Sequence, residues 1–175
     1  MAELLLQPFD VVLGRVMKFE DIQALRYADW SRRFAPFDHS RSTLLQYLAE
    51  GARANVYRLA QASADGSPMD DVLPDAFGFD GVSIDWGEPE SRVPEHFFVI
   101  DARAAHGILR WAIETERDMA PLYRQCGALV EPEALVSACQ FVDIVQQARL
   151  QLLEETAVCL ELQRRGYAAP VALAG

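Results

Sequence analysis

The chain has 175 residues, of which 51% are hydrophobic and 24% charged, so it can bury a core without disulfide or metal support. Its net charge of −10 disfavours nucleic acid and anionic membranes as partners, because both would repel it. No apolar run approaches the ~18 residues of a membrane span, and the first residues lack the pattern of a signal peptide, so we predict a cytoplasmic protein.

The N-terminal region contains one ambiguous stretch and one clear helical pattern. Residues 4–16 are ambiguous because Pro8 splits them, and their apolar run fits either a strand or a helical turn. Residues 20–33 are acidic at the start and basic at the end, which is typical of a helix. Three aromatic residues follow the spacing of a core stripe, and these are Tyr27, Trp30 and Phe34.

A second helix is predicted from Ser40 or Ser42 to about Ala62, because its apolar residues share one face. Gly51 lies inside this pattern, and an interior glycine weakens a helix by ~1 kcal/mol. We therefore expect a bend there.

An acidic segment follows, from residue 65 to residue 95. It holds nine acids against one base, Arg92, and it contains four glycines and four prolines. Residues 82–86 alternate apolar and polar side chains, while residues 96–100 form a compact apolar run. We predict that these two runs are short strands joined as a loose hairpin.

Two further helices are predicted in the C-terminal half. The first has an N-cap at Asp101 and is kinked or ended by Pro121. The second runs from 132 to 165, with a plausible break near residues 146–151 and a left-handed cap at Gly166. Its apolar stripe is wide enough for packing on two sides, because it also includes Phe141, Ile144 and Ala148.

The pattern as a whole predicts an α+β fold that is predominantly helical. About four to five helices pack around a small antiparallel β element inserted in the middle of the chain. We predict one domain over residues 1–175, made of a helical part (1–64), the acidic insertion with its strands (65–100), a second helical part (101–166) and a short tail (167–175).

The sequence has no motif that identifies a catalytic or cofactor site. It lacks a GxSxG nucleophile turn, a P-loop and a GxGxxG loop. Its cysteines, Cys126, Cys139 and Cys159, form no CxxC pair, so we expect neither a zinc knuckle nor a disulfide framework. Contact between Cys126 and His106 is not expected, because 20 helical residues span ~30 Å. We predict no cofactor and no bound metal, and the balance favours a non-enzymatic role.

The leading functional hypothesis is a protein-interaction module that binds a basic protein surface through the acidic segment. Aromatic residues alternate there with acids, an arrangement that combines apolar anchors with charges that steer association. Immunity proteins, antitoxins and secretion chaperones have this physical character. The predicted partner-binding residues are Asp75, Phe77, Phe79, Asp80, Asp85, Trp86, Glu88 and Glu90.

Two alternatives stay open. The first is a metal-binding domain or metal-dependent enzyme with carboxylate and histidine ligands, drawn from Asp80, Asp85, His96 and Asp101. The second is a structural subunit or a homodimer joined through the long C-terminal helix.

Overall fold

The computed structural model describes residues 9–64, 98–99, 101–128 and 133–166. These residues form four helices: α1 (Phe9–Phe34), α2 (His39–Ala64), α3 (Ala102–Ala128) and α4 (Glu133–Arg164). No strand occurs among the described residues, so the prediction of an α+β fold is wrong and the described fold is all-helical. The predicted strand at 82–86 lies outside the described residues.

The described residues of the second predicted strand are not in a strand. Only Phe98 and Val99 of that run are described, and neither is in a strand. Val99 is buried in the helical core, and its backbone N–H donates to the carbonyl of Arg33 at the end of α1 (2.9 Å). Val99 therefore packs on the helical core just before α3 without strand pairing, while Phe98 is 50% exposed.

Three helices, α1, α2 and α3, are longer than the sequence indicated, and α4 is more continuous. α1 begins at Phe9 and includes most of the ambiguous N-terminal stretch. α3 passes through Pro121, which lies on the exposed side of the helix where water can hydrogen-bond the freed carbonyl. α4 has no break, because Gln146 and Arg149 point into the core and find partners there.

Three helix ends have side-chain or glycine caps. The Asp38 carboxylate accepts a hydrogen bond from the N–H of Arg41 (2.9 Å), and the Asp101 carboxylate accepts one from Ala104 (2.8 Å). Gly166 takes the left-handed conformation with φ +82°, which confirms the predicted cap after α4.

α1 is antiparallel to both of its neighbours. It turns tightly into α2, where the Ser31 and Ser42 hydroxyls each donate to the other residue's carbonyl (2.8 Å). Side-chain contacts of Glu20 with Tyr123 and of Tyr27 with Glu116 place α3 antiparallel to α1.

α4 lies diagonally across from α1 and packs beside α2 and α3. Contacts of Arg41 with Gln163 and of Arg58 with Phe141 show that α2 and α4 are antiparallel. Hence α1 and α4 run in one direction and α2 and α3 in the other. The end of α2 and the start of α3 lie at opposite ends of the bundle, about 39 Å apart for a helix of 26 residues.

The core has two apolar halves with polar residues between them. The half near the α1–α2 turn contains Tyr27, Trp30, Phe34, Leu45, Leu109 and Leu153, among others. The half near the α3–α4 turn contains Val12, Phe19, Leu59, Leu122, Cys126 and Val142, among others. The aromatic stripe predicted on α1 is confirmed as core, since its three residues are at most 6% exposed.

The helical body is electrically neutral. The described residues include 15 acids and 15 bases, so the whole net charge of −10 belongs to residues outside them. None of the described helices has the length and apolar character needed to cross a membrane.

Candidate functional site

A cluster of polar side chains lies halfway along the bundle, between the two apolar halves. We call it the buried polar cluster. α1, α3 and α4 all contribute to it, and no member is more than 3% exposed. Its members are Glu20, Gln23, Tyr27, Glu116, Tyr123, Gln146 and Arg149.

Arg149 is the centre of the cluster. Its two terminal nitrogens donate to the two carboxylate oxygens of Glu20, each at 3.0 Å. Nη2 also donates to Glu116 Oε2 (3.1 Å), and Nε makes an ion contact with Glu116 Oε1 (2.8 Å). One guanidinium therefore joins three helices, including the diagonal pair α1 and α4.

Neutral donors complete the hydrogen bonding of the two carboxylates. Tyr27 donates to Glu116 Oε1 (2.6 Å), and Tyr123 donates to Glu20 Oε1. Gln146 Nε2 donates to the backbone carbonyl of Glu116 (2.9 Å) and to its Oε2 (3.2 Å). Every carboxylate oxygen thus has a donor, which is the condition for burying such charges.

Burial dominates the electrostatics of the cluster. It raises the pKa of Glu116, while Arg149 acts in the opposite direction. Burial and the neighbouring carboxylates raise the pKa of Tyr27 and Tyr123, so both phenols stay neutral donors. Burial opposes the charge on Arg149, but its two carboxylate partners outweigh this and raise its pKa. With both carboxylates ionised the cluster carries one net negative charge.

The cluster differs from a metal site in one respect. Inward carboxylates on facing helices of a bundle commonly bind metal ions. Here the guanidinium nitrogens of Arg149 contact both carboxylates at 2.8–3.1 Å. No group of three or more His, Cys, Asp and Glu that could hold a metal occurs among the described residues. The chemistry of this arrangement is ion pairing and hydrogen bonding across three helices.

The sequence analysis did not find this cluster, although a signal was present. Glu116 follows Ala112 by four residues on the apolar face of α3, and Arg149 follows Val142 by seven on that of α4. Charged residues at buried helical positions indicate paired internal charges. The partners come from distant parts of the chain, so the sequence alone could not show which charges meet.

All eight predicted partner-binding residues lie outside the described residues. They are Asp75, Phe77, Phe79, Asp80, Asp85, Trp86, Glu88 and Glu90. Three of the four candidate metal ligands, Asp80, Asp85 and His96, lie there too. The fourth, Asp101, is described and caps α3.

Two cysteines meet where α3 ends and α4 begins. The sulfur atoms of Cys126 and Cys139 are 2.7 Å apart, and both residues are buried as free thiols. The contact between the two thiols raises the pKa of Cys126, as does burial, and it lowers the pKa of Cys139. The sequence did not predict this pairing, because the separation of 13 residues spans a helix–helix turn.

The surface of α4 that points away from the core carries a stripe of exposed apolar side chains beside exposed glutamines. We call it the α4 outer face and define it by Phe141, Ile144, Ala148, Leu152 and Glu155. Phe141, Ile144 and Leu152 are 43%, 64% and 36% exposed. Arg58 of α2 lies over the Phe141 ring, with its Cζ 3.8 Å from the ring centroid. The expected packing of α4 on a second side is therefore not made by the described residues.

Two open surface depressions lie between α3 and α4. One includes Arg124, Gly127 and Gln140, and the other includes Arg117, Glu154 and Val158. Neither is lined by a member of the buried polar cluster.

Comparisons with protein-family models, curated proteins and solved structures found no match.

Proposed function

We propose that this chain is a protein-interaction module that binds through the α4 outer face. The observation that supports the proposal is the run of exposed apolar side chains along α4. Phe141 and Ile144 are large hydrophobic residues on a helix that already buries its opposite side. An apolar helical face exposed over several turns is typical of a surface that another protein covers.

The buried polar cluster holds α4, the helix that carries this face, against the rest of the bundle. Arg149 points inward from the middle of α4 and is held by Glu20 and Glu116. Ala148 and Leu152, one and three residues away, point outward. A rigid helix loses little conformational freedom on binding, which favours affinity.

Site-specific photo-crosslinking in the native host tests the proposal. A photoreactive residue at position 152 should give adducts of higher mass. The matched control is position 25, because Leu25 is also an exposed leucine (62%) but lies on α1. Equal adducts from both positions, or none from position 152, would contradict the proposal.

A second interaction surface is the acidic segment 65–95, which we propose binds a basic protein. The supporting observation is that the described residues are electrically neutral while this segment carries −8. Concentrated negative charge accelerates association with a cationic partner. Immunity proteins, antitoxins and chaperones are the classes that this charge suggests, and we propose a cytoplasmic location.

Neutralising three acids of the segment tests this second proposal. The variant Asp80→Asn, Asp85→Asn, Glu88→Gln should capture fewer basic proteins from a native lysate at low salt. Its control carries the same net charge but changes acids of the helical body, namely Glu50→Gln, Glu114→Gln and Asp143→Asn. If both variants lose the same proteins, the segment has no special role.

A further inference from the structure

The residues of the α4 outer face are spaced symmetrically about Ala148. Ile144 and Leu152 lie four residues to either side of it, and Phe141 and Glu155 lie seven residues to either side. All five share one side of the helix, because steps of three and four residues return to the same face. A twofold axis through Ala148 would therefore bring each position of the face opposite another position of the face on a second copy.

We propose that the α4 outer face binds a second copy of this chain, with the two α4 helices antiparallel about Ala148. This inference rests on the proposed interaction function and names its partner. A twofold contact uses the same patch on both subunits. The symmetry brings Ile144 against Leu152 of the second copy, and Phe141 level with Glu155 of the second copy.

Charge complementarity favours a second copy over other partners. Arg58 lies over Phe141 and so sits at one end of the face, while Glu155 lies at the other end. Within one copy the two charges are separated by about 14 residues of α4, ~21 Å along the helix. In the antiparallel arrangement each Arg58 reaches Glu155 of the second copy, which gives two equivalent ion pairs.

Neither charge has an ion-pair partner within the described part of its own chain. The described contact of Arg58 is the Phe141 ring, and that of Glu155 is a hydrogen bond from Gln151 of the same helix (2.8 Å). Both side chains are exposed. They are therefore available to pair across the contact and to set its orientation.

The size of the central side chain also suits this arrangement. Ala148 is exposed at the axis, and a small residue there lets two helices approach to about 8 Å. The larger Ile144 and Leu152 then pack on either side of the axis. The helix dipoles of the two antiparallel copies also oppose each other favourably.

Sedimentation velocity over a concentration range on the order of a hundredfold tests the inference. The native chain should shift with concentration from 19.6 kDa towards twice that mass. Arg58→Glu or Glu155→Arg alone should weaken self-association by about tenfold or more, because like charges would then face each other. The double exchange should restore it to within about threefold of the native chain.

Two further variants separate the contact from general effects of charge and folding. Ala148→Glu should abolish self-association, because two carboxylates would meet at the axis while the Arg58–Phe141 contact remains. Arg103→Glu, an exposed charge change on α3, should leave self-association unchanged. Circular dichroism should show native helicity for every variant.

The outcomes distinguish this inference from the proposed function. A chain that stays at 19.6 kDa at every concentration, or a double exchange that fails to restore association, overturns the second-copy arrangement. In that case adducts from position 152 with a different protein would still support the interaction function. Adducts with twice the mass of the chain support both.

Discussion

We predict that Arg149→Met lowers the free energy of unfolding, because it removes the cation of a buried ion pair. Arg149 is 3% exposed and contacts two carboxylates that are fully buried. Its removal leaves Glu20 and Glu116 without a compensating cation in the core. Breaking a buried ion pair from one side costs about 3–5 kcal/mol, so the free energy of unfolding should fall by that amount.

The matched control is Arg117→Met, which removes an arginine–glutamate ion pair at the surface. Arg117 and Glu154 are in contact at 2.6 Å, but their side chains are 60% and 41% exposed. Such pairs contribute about 0–1 kcal/mol because water screens them. The difference between the two variants therefore measures the combined effect of burial and of the second carboxylate partner.

A third variant tests whether charge or side-chain volume is responsible. Changing Glu20 and Glu116 to Gln together with Arg149→Met removes all three charges but keeps oxygen acceptors for the tyrosines. It should recover about half or more of the loss, because neutral groups are less costly to bury. Urea unfolding with linear extrapolation gives each free energy. The reasoning fails if Arg149→Met costs no more than Arg117→Met, or if the triple variant is the least stable.

Three other predictions concern the helical and capping glycines, the buried Glu116 carboxyl and the paired cysteines. Gly51→Ala and Gly107→Ala should each raise the free energy of unfolding by about 0.5–1 kcal/mol, because an added Cβ meets nothing within 4 Å. Gly166→Ala should instead lower the free energy of unfolding, since φ there is +82°. Thermal unfolding should therefore show a higher melting temperature for the first two variants and a lower one for the third. Burial raises the pKa of Glu116, so the free energy of unfolding of the native chain, relative to that of Glu116→Gln, should be greatest below the ordinary carboxyl pKa of 4.5 and should decline as the pH rises through the raised pKa. Urea unfolding at several pH values would measure this difference, and a difference that does not change with pH would contradict the prediction. The thiol oxidant diamide should form a disulfide between Cys126 and Cys139, which reduces the number of free thiols from three to one. The closed loop should stabilise the fold by about 3 kcal/mol. The control variant Cys159→Ser should still form the disulfide, whereas three free thiols after oxidation of the folded native chain would refute the pairing.

The helices of this fold could be predicted wherever local chemistry decides the outcome. The Asp101 cap, the Gly166 cap and the aromatic stripe on α1 each depend on neighbouring residues, and each was predicted. The predicted start of α2, at Ser40 or Ser42, is too late, because the Asp38 carboxylate caps a helix that begins at His39.

Long-range packing decided the features that were missed. Val99 was read as part of a strand because an apolar run does not reveal whether it meets a strand or a helical core. A break in α4 was predicted near residues 146–151, because an unbroken helix of about 50 Å is long for a domain of this size. The helix is continuous there, and the partners of Arg149, which are Glu20 and Glu116, lie 129 and 33 residues away in the chain. The candidate interaction face was visible in the sequence as an extra apolar stripe, but its exposure could be judged only once α2 and α3 were in place.

The position of Arg149 also bears on how the two halves of the molecule find each other. The α1–α2 and α3–α4 pairs are local hairpins that can assemble early, since their contacts lie close in sequence. Their apolar faces alone would tolerate a sliding error of one helical turn, about 5.4 Å. Such an error would separate the Arg149 guanidinium from Glu20 and leave the Glu20 carboxylate unpaired in the core. We therefore expect the charges of the buried polar cluster to disfavour, during folding, hairpins that dock out of register. Two purely apolar surfaces would not distinguish the correct register in this way.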